Sequence, residues 1–468
     1  MSHRKLLTLA LTTAGVLAMT AINIPASVAE DTGATETTEA SSADQYENSV
    51  VTIVVQLTDD APALADMKER VNAAVAAAVP GASATGLREY THALRGFAIT
   101  APASSLAAIR ATPGVKAAFV DRHSATIYNV YSPDSFSNKG KDHDPSLSTA
   151  MDMTAAAQAN HRGSGQVIEI IDTGFDTSHS AFAGSVEGAR LSQADVTSLT
   201  TTLGDGRGGG WVSPKIPFAY DYADGDADVT YPAPGEFPDQ TDDARYTHGT
   251  HVAALAASNG SEFRGAAPDA QLIMAKVLGN DDQNINDSVL LAALDDAAVL
   301  TPDVLVVSVG DDSGQNGDAL AVYADVYAAL ADKGIAINAP AGDYTSSAWG
   351  NWNSDNLPFA TDADFGAIIW PALDSNALAT ASLDEVKRTD GQPLPDASPS
   401  YFSSWGVTPD LRLKPEIAAP GGDVMSALPA GTYGRRAGTA EASAQVAGIA
   451  ALVRQRVAAD PAFAGMSA

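Results

Sequence analysis

An aspartate and two histidines stand where the sequence could support catalysis. Asp172 follows the apolar run 166–171, and an acid at the tip of a buried parallel strand can serve as a catalytic carboxylate, although turn formation is the commoner role. His248 and His251 open a run of small residues that predicts a helix. Two histidines three apart could bind a metal on one helix face. No glutamate lies between them as in zinc proteases, which argues against a metal.

The region from residue 151 to 468 alternates short apolar runs with alanine-rich helical stretches. Continuous apolar strands between helices predict an α/β domain with a parallel central sheet covered on both faces. In such sheets the chemistry lies at the carboxyl ends of the strands, where Asp172 is expected. The predicted strands are residues 166–171, 271–277, 303–307, 334–338 and 377–381.

A smaller unit is predicted over residues 49–121. Its pattern reads strand, helix, strand, helix, strand, which indicates a small α+β domain. The predicted strands are residues 49–57, 95–99 and 115–120, and the predicted helices are residues 62–79 and 104–112.

Two motifs resemble the subtilase (subtilisin-like serine protease) family: Asp172-Thr173-Gly174 and, after it, His248-Gly249-Thr250-His251-Val252-Ala253. Residues 265–270, 308–310 and 414–422 are also similar to the family, and residues 402–406 resemble its cell-envelope, lactocepin-like branch. The resemblance implies a three-layer subtilisin-like fold, a serine endopeptidase activity and a role for residues 49–121 as the family's inhibitory propeptide.

The resemblance implies that Asp172 orients His248, which in this family takes the proton from a serine. The serine motif falls on residues 438–448, where Ala440 holds the place of the nucleophile. A methyl group cannot attack a carbonyl, so we expect an inactive homologue. Ser443 lies one helical turn further, roughly 4.5–5 Å along the axis, which is too far to replace it. An active endopeptidase with a mutated or unusual serine, and a peptide-binding decoy or chaperone, are the alternatives.

Two further site assignments follow from the resemblance. Asp343 holds the place of the asparagine that donates a hydrogen bond to the oxyanion, and its reference pKa near 3.9 predicts an ionised, non-donating group at neutral pH unless the site raises it. Losing such a donor costs roughly 10²–10³ in rate and losing the serine roughly 10⁶, both figures coming from subtilisin itself. Ser308, Val309 and Gly310 are expected to bind an extended peptide by strand addition.

An acidic loop offers a candidate metal site. Asp224, Asp226 and Asp228 place carboxylates at alternating positions, as calcium ligands often are. Counted from Asp224, the sixth position of the loop holds Val229, where a calcium loop has glycine. This favours a solvated loop without a bound metal. No cofactor is therefore predicted, with calcium as the alternative. Trp349 and Trp352 are candidates to line a substrate groove, and loop packing explains them equally well.

The composition restricts the partners. The net charge is −30 and no Lys/Arg-rich run occurs, which argues against nucleic acid and anionic membrane surfaces. The chain has no cysteine, so disulfides, thiolate metal sites and a cysteine nucleophile are excluded. A protein or peptide ligand and the chain's own propeptide are the expected partners.

The N-terminus predicts secretion. Arg4 and Lys5 precede the apolar run 6–19, and Ser27-Val28-Ala29 is a small-residue cleavage site, so residues 1–29 are expected to be a signal peptide. A membrane anchor is the alternative for this run, and no later segment is apolar for long enough to span a bilayer. Residues 30–48 and 122–150 are predicted linkers. We also expect the peptidase domain, 151–468, to be truncated at its C-terminus relative to longer family members.

Overall fold

The computed structural model describes residues 49–121, 123–124, 151, 154–233, 243–282, 284–310, 317–343, 368–384, 398–400, 402–408 and 410–463. The predicted signal peptide, the acidic linker, nearly all of the second linker, and both Trp349 and Trp352 lie outside these residues. Among the described residues, no helix combines the length and the apolar character needed to cross a membrane.

The N-terminal unit is a four-stranded antiparallel sheet with two helices on one face. In chain order it contains β1 Val50–Leu57, α1 Leu64–Ala78, β2 Thr85–Tyr90, β3 Gly96–Pro102, α2 Leu106–Arg110 and β4 Val115–Val120. The strand order is β2-β3-β1-β4. The sequence pattern missed β2, because most of this strand is exposed or half-buried and therefore lacks an apolar run. Met67, Val71 and Ile109 of the helices pack on the sheet.

The C-terminal region, from residue 151 onwards, is built on a seven-stranded sheet. Its strands are β6 Val167–Asp172, β7 Phe218–Asp221, β8 Gln271–Lys276, β10 Val304–Val307, β11 Ala336–Pro340, β12 Ala377–Asp384 and β15 Ile417–Gly422. The order is β15-β12-β11-β10-β6-β8-β7, and the neighbouring pairs are parallel. Five of these strands were predicted. The sequence pattern missed β7, which has four residues, and β15, whose Pro420, Gly421 and Gly422 are atypical of strands.

Short strands and long helices complete this region. The remaining strands are β5 His123–Ser124, β9 Ile285–Asn286, β13 Gly406–Val407, β14 Leu413–Lys414, β16 Val424–Leu428 and β17 Thr432–Arg436. The α-helices are α3 Gln193–Thr200, α4 Asp243–Ala257, α5 Asp287–Leu300, α6 Gly317–Asp332 and α7 Thr439–Ala459. Helices α4 and α7 contact each other and the sheet, and α5 and α6 pack together in a separate apolar cluster. The result is the predicted α/β fold with helices on both faces of the sheet.

The N-terminal unit packs on the outer side of α5 and α6. Strand β2 contacts α5, and β4 contacts α6. Val54, Tyr90 and Phe119 are buried in one apolar cluster with side chains of these helices, such as Leu290 and Val322. The two regions therefore share a hydrophobic interface.

Candidate active site

The pair of Asp172 and His248 is the centre of the site. Asp172 ends β6 and is fully buried, and His248 lies in the first half of α4. Its Nδ1 is 2.7 Å from Oδ1 of Asp172, an oxygen that also accepts from the backbone N–H of Thr173 at 2.6 Å. The helix approaches the strand this closely because residue 249 is glycine, since a Cβ there would lie 2.2 Å from the carbonyl oxygen of Gly174 and 3.1 Å from the Asp172 side chain. The carboxylate is thus placed to orient the imidazole.

The charge of His248 is set by its neighbours. Burial by itself lowers the pKa of His248. The charge of Asp172, the hydrogen bond to it, and the nearby carboxylates of Glu441 and Asp343 outweigh burial and raise the pKa to about 9. At neutral pH this imidazole is therefore protonated and cannot accept a further proton.

Ala440 stands in the first turn of α7, at the position that the family resemblance assigns to the nucleophile. Its side chain is a methyl group and is 1% exposed, so this position offers no hydroxyl. The start of the helix is fixed by two hydrogen bonds. The N–H of Thr439 donates to Oδ1 of Asp343 at 2.8 Å, and the N–H of Gly342 donates to Oγ1 of Thr439 at 3.0 Å.

Asp343 is less ionised than its sequence suggested. Burial raises its pKa, the hydrogen bonds from Thr439 lower it, Glu441 raises it further and His248 lowers it, with a net value of about 7. The expectation of an ionised carboxylate held only if the site left the pKa unraised; the site raises it, and the group is about half protonated at pH 7. The physical reason is the loss of solvation at a side chain that is 2% exposed.

Glu441 and His251 lie side by side in the buried site, a contact that sequence reasoning missed. His251 Nδ1 lies 3.4 Å from Glu441 Oε1, both side chains being almost completely buried. Burial raises the pKa of Glu441, but His251 and the charge of His248 outweigh this and hold the pKa below its usual value. The signal in the sequence was an acidic residue directly after Ala440, where the family motif has methionine.

The carboxylates of Glu441 and Asp343 converge on Gly438. A Cβ at Gly438 would lie 2.6 Å from Oε2 of Glu441 and 3.1 Å from Oδ2 of Asp343. Both carboxylates also act on His248. The site therefore holds a protonated imidazole among three carboxyl groups, which is an unfavourable environment for a developing oxyanion.

Ser443 is held away from this chemistry. It is fully buried, and its hydroxyl has no hydrogen-bond partner within the described part of the chain. Its carbonyl accepts from Nδ2 of Asn338 at 2.5 Å. The contacts around Ser443 thus belong to the packing of α7 on the sheet.

Residues 308–310 follow β10 directly and are buried beside the site. The N–H of Ser308 donates to the carbonyl of Ile171 at 3.1 Å, which places this segment next to Asp172. Sequence reasoning did not identify β9, which pairs antiparallel with β5 of the same chain. His123 pairs with Asn286, and Ser124 pairs with Ile285. A segment of the chain itself therefore adds a strand beside α5.

The candidate calcium loop satisfies its carboxylates internally. Lys276 pairs with Asp221 and lies 3.4 Å from Asp224. Asp226 accepts from the N–H of Asp228 at 2.8 Å, and Asp228 accepts from Thr230. No group of three potential metal-ligating side chains was found among the described residues. Calcium binding here stays the alternative to the predicted solvated loop.

The chain belongs to the subtilase family, whose model matches residues 163–464. Among curated proteins it is similar to the PI-type proteinase of Lactococcus lactis subsp. cremoris, with 28% identity over 275 residues, which is 55% of this chain and 13% of that protein. It is also 28% identical to thermitase of Thermoactinomyces vulgaris over 300 residues, covering 62% of this chain and 75% of that protein. The chain thus spans only a small part of the lactococcal relative.

A solved structure shares the fold. Fervidolysin from Fervidobacterium pennivorans, a keratinolytic enzyme related to subtilisin, aligns with a TM-score of 0.58 and 16% identity. The alignment covers 88% of this chain and 56% of fervidolysin. At this identity the likeness supports the subtilisin-like fold alone. The expected resemblance to subtilases, including the cell-envelope branch, is confirmed.

Proposed function

We propose that this chain is a secreted subtilase homologue that has lost peptide-bond hydrolysis and keeps the framework for binding an extended peptide. The observation that carries the proposal is the first turn of α7. The aspartate–histidine pair is formed at 2.7 Å, but the position facing it in the family motif is Ala440. Without a hydroxyl, the covalent route through an acyl-enzyme is closed.

The charges around the site support the same conclusion. With a pKa of about 9, His248 is protonated at neutral pH and is a poor general base. Glu441 and the ionised fraction of Asp343 place negative charge where family members stabilise an oxyanion. Restoring a serine alone would leave both obstacles in place.

The peptide-binding part of the proposal rests on residues 308–310, which the family resemblance assigns to peptide binding, and on β9. This short strand already pairs with β5, a segment that follows the N-terminal unit. Strand addition supplies affinity through main-chain hydrogen bonds and does not depend on the nucleophile. The N-terminal unit is then the counterpart of the family's inhibitory propeptide, and without self-cleavage it stays attached and docked.

Contacts at the interface suit lasting attachment. Oδ1 and Oδ2 of Asp295, a fully buried residue of α5, accept the backbone N–H groups of residues 91–94 at 2.7–3.0 Å. The hydroxyl of Tyr90 donates to the carbonyl of Ser288 at 2.9 Å. Such buried, fully satisfied contacts are costly to break.

The intact mass of the secreted protein, made in a protease-deficient host and treated with a fluorophosphonate probe, tests the proposal. We expect a mass that begins at Glu30, includes residues 49–121 and carries no probe. Loss of residues 49–121 together with one bound probe would refute inactivity. Repeating the labelling on Ser443→Ala would then show whether Ser443 is the nucleophile, which is the alternative of an active endopeptidase with an unusual serine.

A further inference from the structure

The two strand extensions beside the site end in glycines whose missing side chains leave a slot. Residues 308–310 continue β10, residues 341–343 continue β11, and these strands are parallel neighbours. Gly310 and Gly342 contribute no side chain to the space between them. Gly342 has φ +107°, a conformation that side-chain-bearing residues rarely adopt, so the backbone itself requires glycine here.

Ile369 fills this slot. A Cβ at Gly310 would lie 2.3 Å from the carbonyl oxygen of Trp370 and 2.8 Å from Cδ1 of Ile369. A Cβ at Gly342 would lie 2.7 Å from Cγ2 of Ile369 and 3.2 Å from its Cγ1. The branches of one isoleucine thus reach both glycines. The side chain is 2% exposed, and its backbone N–H donates to the carbonyl of Ala341 at 3.0 Å, which fixes the residue against β11.

The slot lies where a bound peptide would place a side chain. A strand running along residues 308–310 towards Asp343 projects alternate side chains to opposite faces. One residue of the peptide has its carbonyl at the corner formed by Asp343 and Ala440. The side chain of that peptide residue therefore points between the two strand extensions. With Ile369 already packed there, little room remains beyond a hydrogen atom or a methyl group.

We propose that Ile369 determines the specificity of this cleft and restricts the peptide to glycine or alanine at the residue that faces Ala440. This inference rests on the proposed peptide-binding function. Tightly packed interiors do not admit an extra aromatic ring without displacing neighbours. A peptide with phenylalanine or leucine at this residue should bind about tenfold more weakly or worse, since even one methylene changes discrimination roughly 10–200-fold.

The test uses the full chain and fluorescein-labelled Ala-Ala-Ala-X-amide peptides, with X as glycine, alanine, leucine or phenylalanine, followed by fluorescence anisotropy. The chain's own β5 pairs with β9 and not with residues 308–310, and the comparison uses the ratio of dissociation constants between peptides. The wild type should favour alanine over phenylalanine about tenfold or more. Ile369→Ala should remove or reverse this preference, because it opens the slot.

Ile368→Ala is the matched control, because Ile368 is a neighbouring buried isoleucine that packs in the core instead of between the glycines. It should keep the wild-type ratio. Equal binding of the alanine and phenylalanine peptides to the wild type, or an unchanged ratio in Ile369→Ala, overturns the role of Ile369 and leaves peptide binding standing. If no peptide binds to the wild type or to either variant, the proposed peptide cleft itself is refuted.

Discussion

At the scale of single residues, the site is governed by the balance between burial and neighbouring charge. Asp343 and Glu441 are both buried, yet the pKa of the first is raised and that of the second is lowered. At Glu441 the effects of His251 and His248 outweigh burial and lower the pKa. At Asp343 burial and the charge of Glu441 outweigh the hydrogen bonds from Thr439 and the charge of His248, so the pKa is raised. Two equally buried carboxyl groups therefore have pKa values shifted in opposite directions.

Asp343→Asn should flatten the pH dependence of stability. The raised pKa means that the folded protein keeps this proton while the unfolded chain loses it, so the stabilisation present below pH 4 is lost as the pH rises towards 7. This stabilisation amounts to at most about 4 kcal/mol in the free energy of unfolding. Guanidinium unfolding of both proteins from pH 4 to pH 8 should show the wild type losing stability relative to the variant.

The denaturant slope is the control for this comparison, since an unchanged slope indicates that both proteins expose the same surface on unfolding. A difference in the free energy of unfolding that stays constant from pH 4 to pH 8 would show that Asp343 does not keep its proton in the folded state.

At the scale of elements, helix α5 joins the two regions of the molecule. One of its faces packs in the core of the C-terminal region, and the other contacts the N-terminal unit through Asp295. Four consecutive backbone N–H groups converge on that one carboxylate. Hydrogen bonds to a charged group are stronger than those between neutral groups, and buried N–H groups left without a partner are costly.

Asp295→Ala should weaken docking of the N-terminal unit by more than about 3 kcal/mol, because the N–H groups of residues 91–94 lose their acceptor. Hydrogen exchange of these four amides should become much faster. Asp325→Ala is the matched control, because Asp325 contacts the same unit from α6 through Gln56 and Lys116 but is 42% exposed. That control should cost about 1 kcal/mol or less. Equal effects of the two variants would contradict the special role of Asp295.

At the scale of the whole described molecule, the N-terminal unit and the C-terminal region share one apolar cluster. Val54, Tyr90 and Phe119 are buried together with side chains of α5 and α6. Separating the two regions would expose this apolar surface to water, at roughly 25 cal/mol per Å². The interface is therefore a part of the core and not a loose contact.

The two regions are accordingly expected to unfold together. Calorimetry of the intact protein should give one transition, with agreement between the calorimetric and van't Hoff enthalpies. Tyr90→Ala, which removes both the buried ring and the hydrogen bond to Ser288, should split the transition or move the N-terminal unit to a lower temperature. Two well-separated transitions in the wild type would show that the regions are energetically independent.

The sequence by itself determined the parts of this protein that depend on local pattern. Continuous apolar runs identified five strands of the central sheet, and short motifs identified Asp172, His248 and Ala440. Tertiary structure decided the rest, since burial and distant neighbours control it. It revealed the pairing of Glu441 with His251, raised the pKa of Asp343 and placed Ile369 between Gly310 and Gly342. These effects join residues far apart in the chain, and no local pattern carries them.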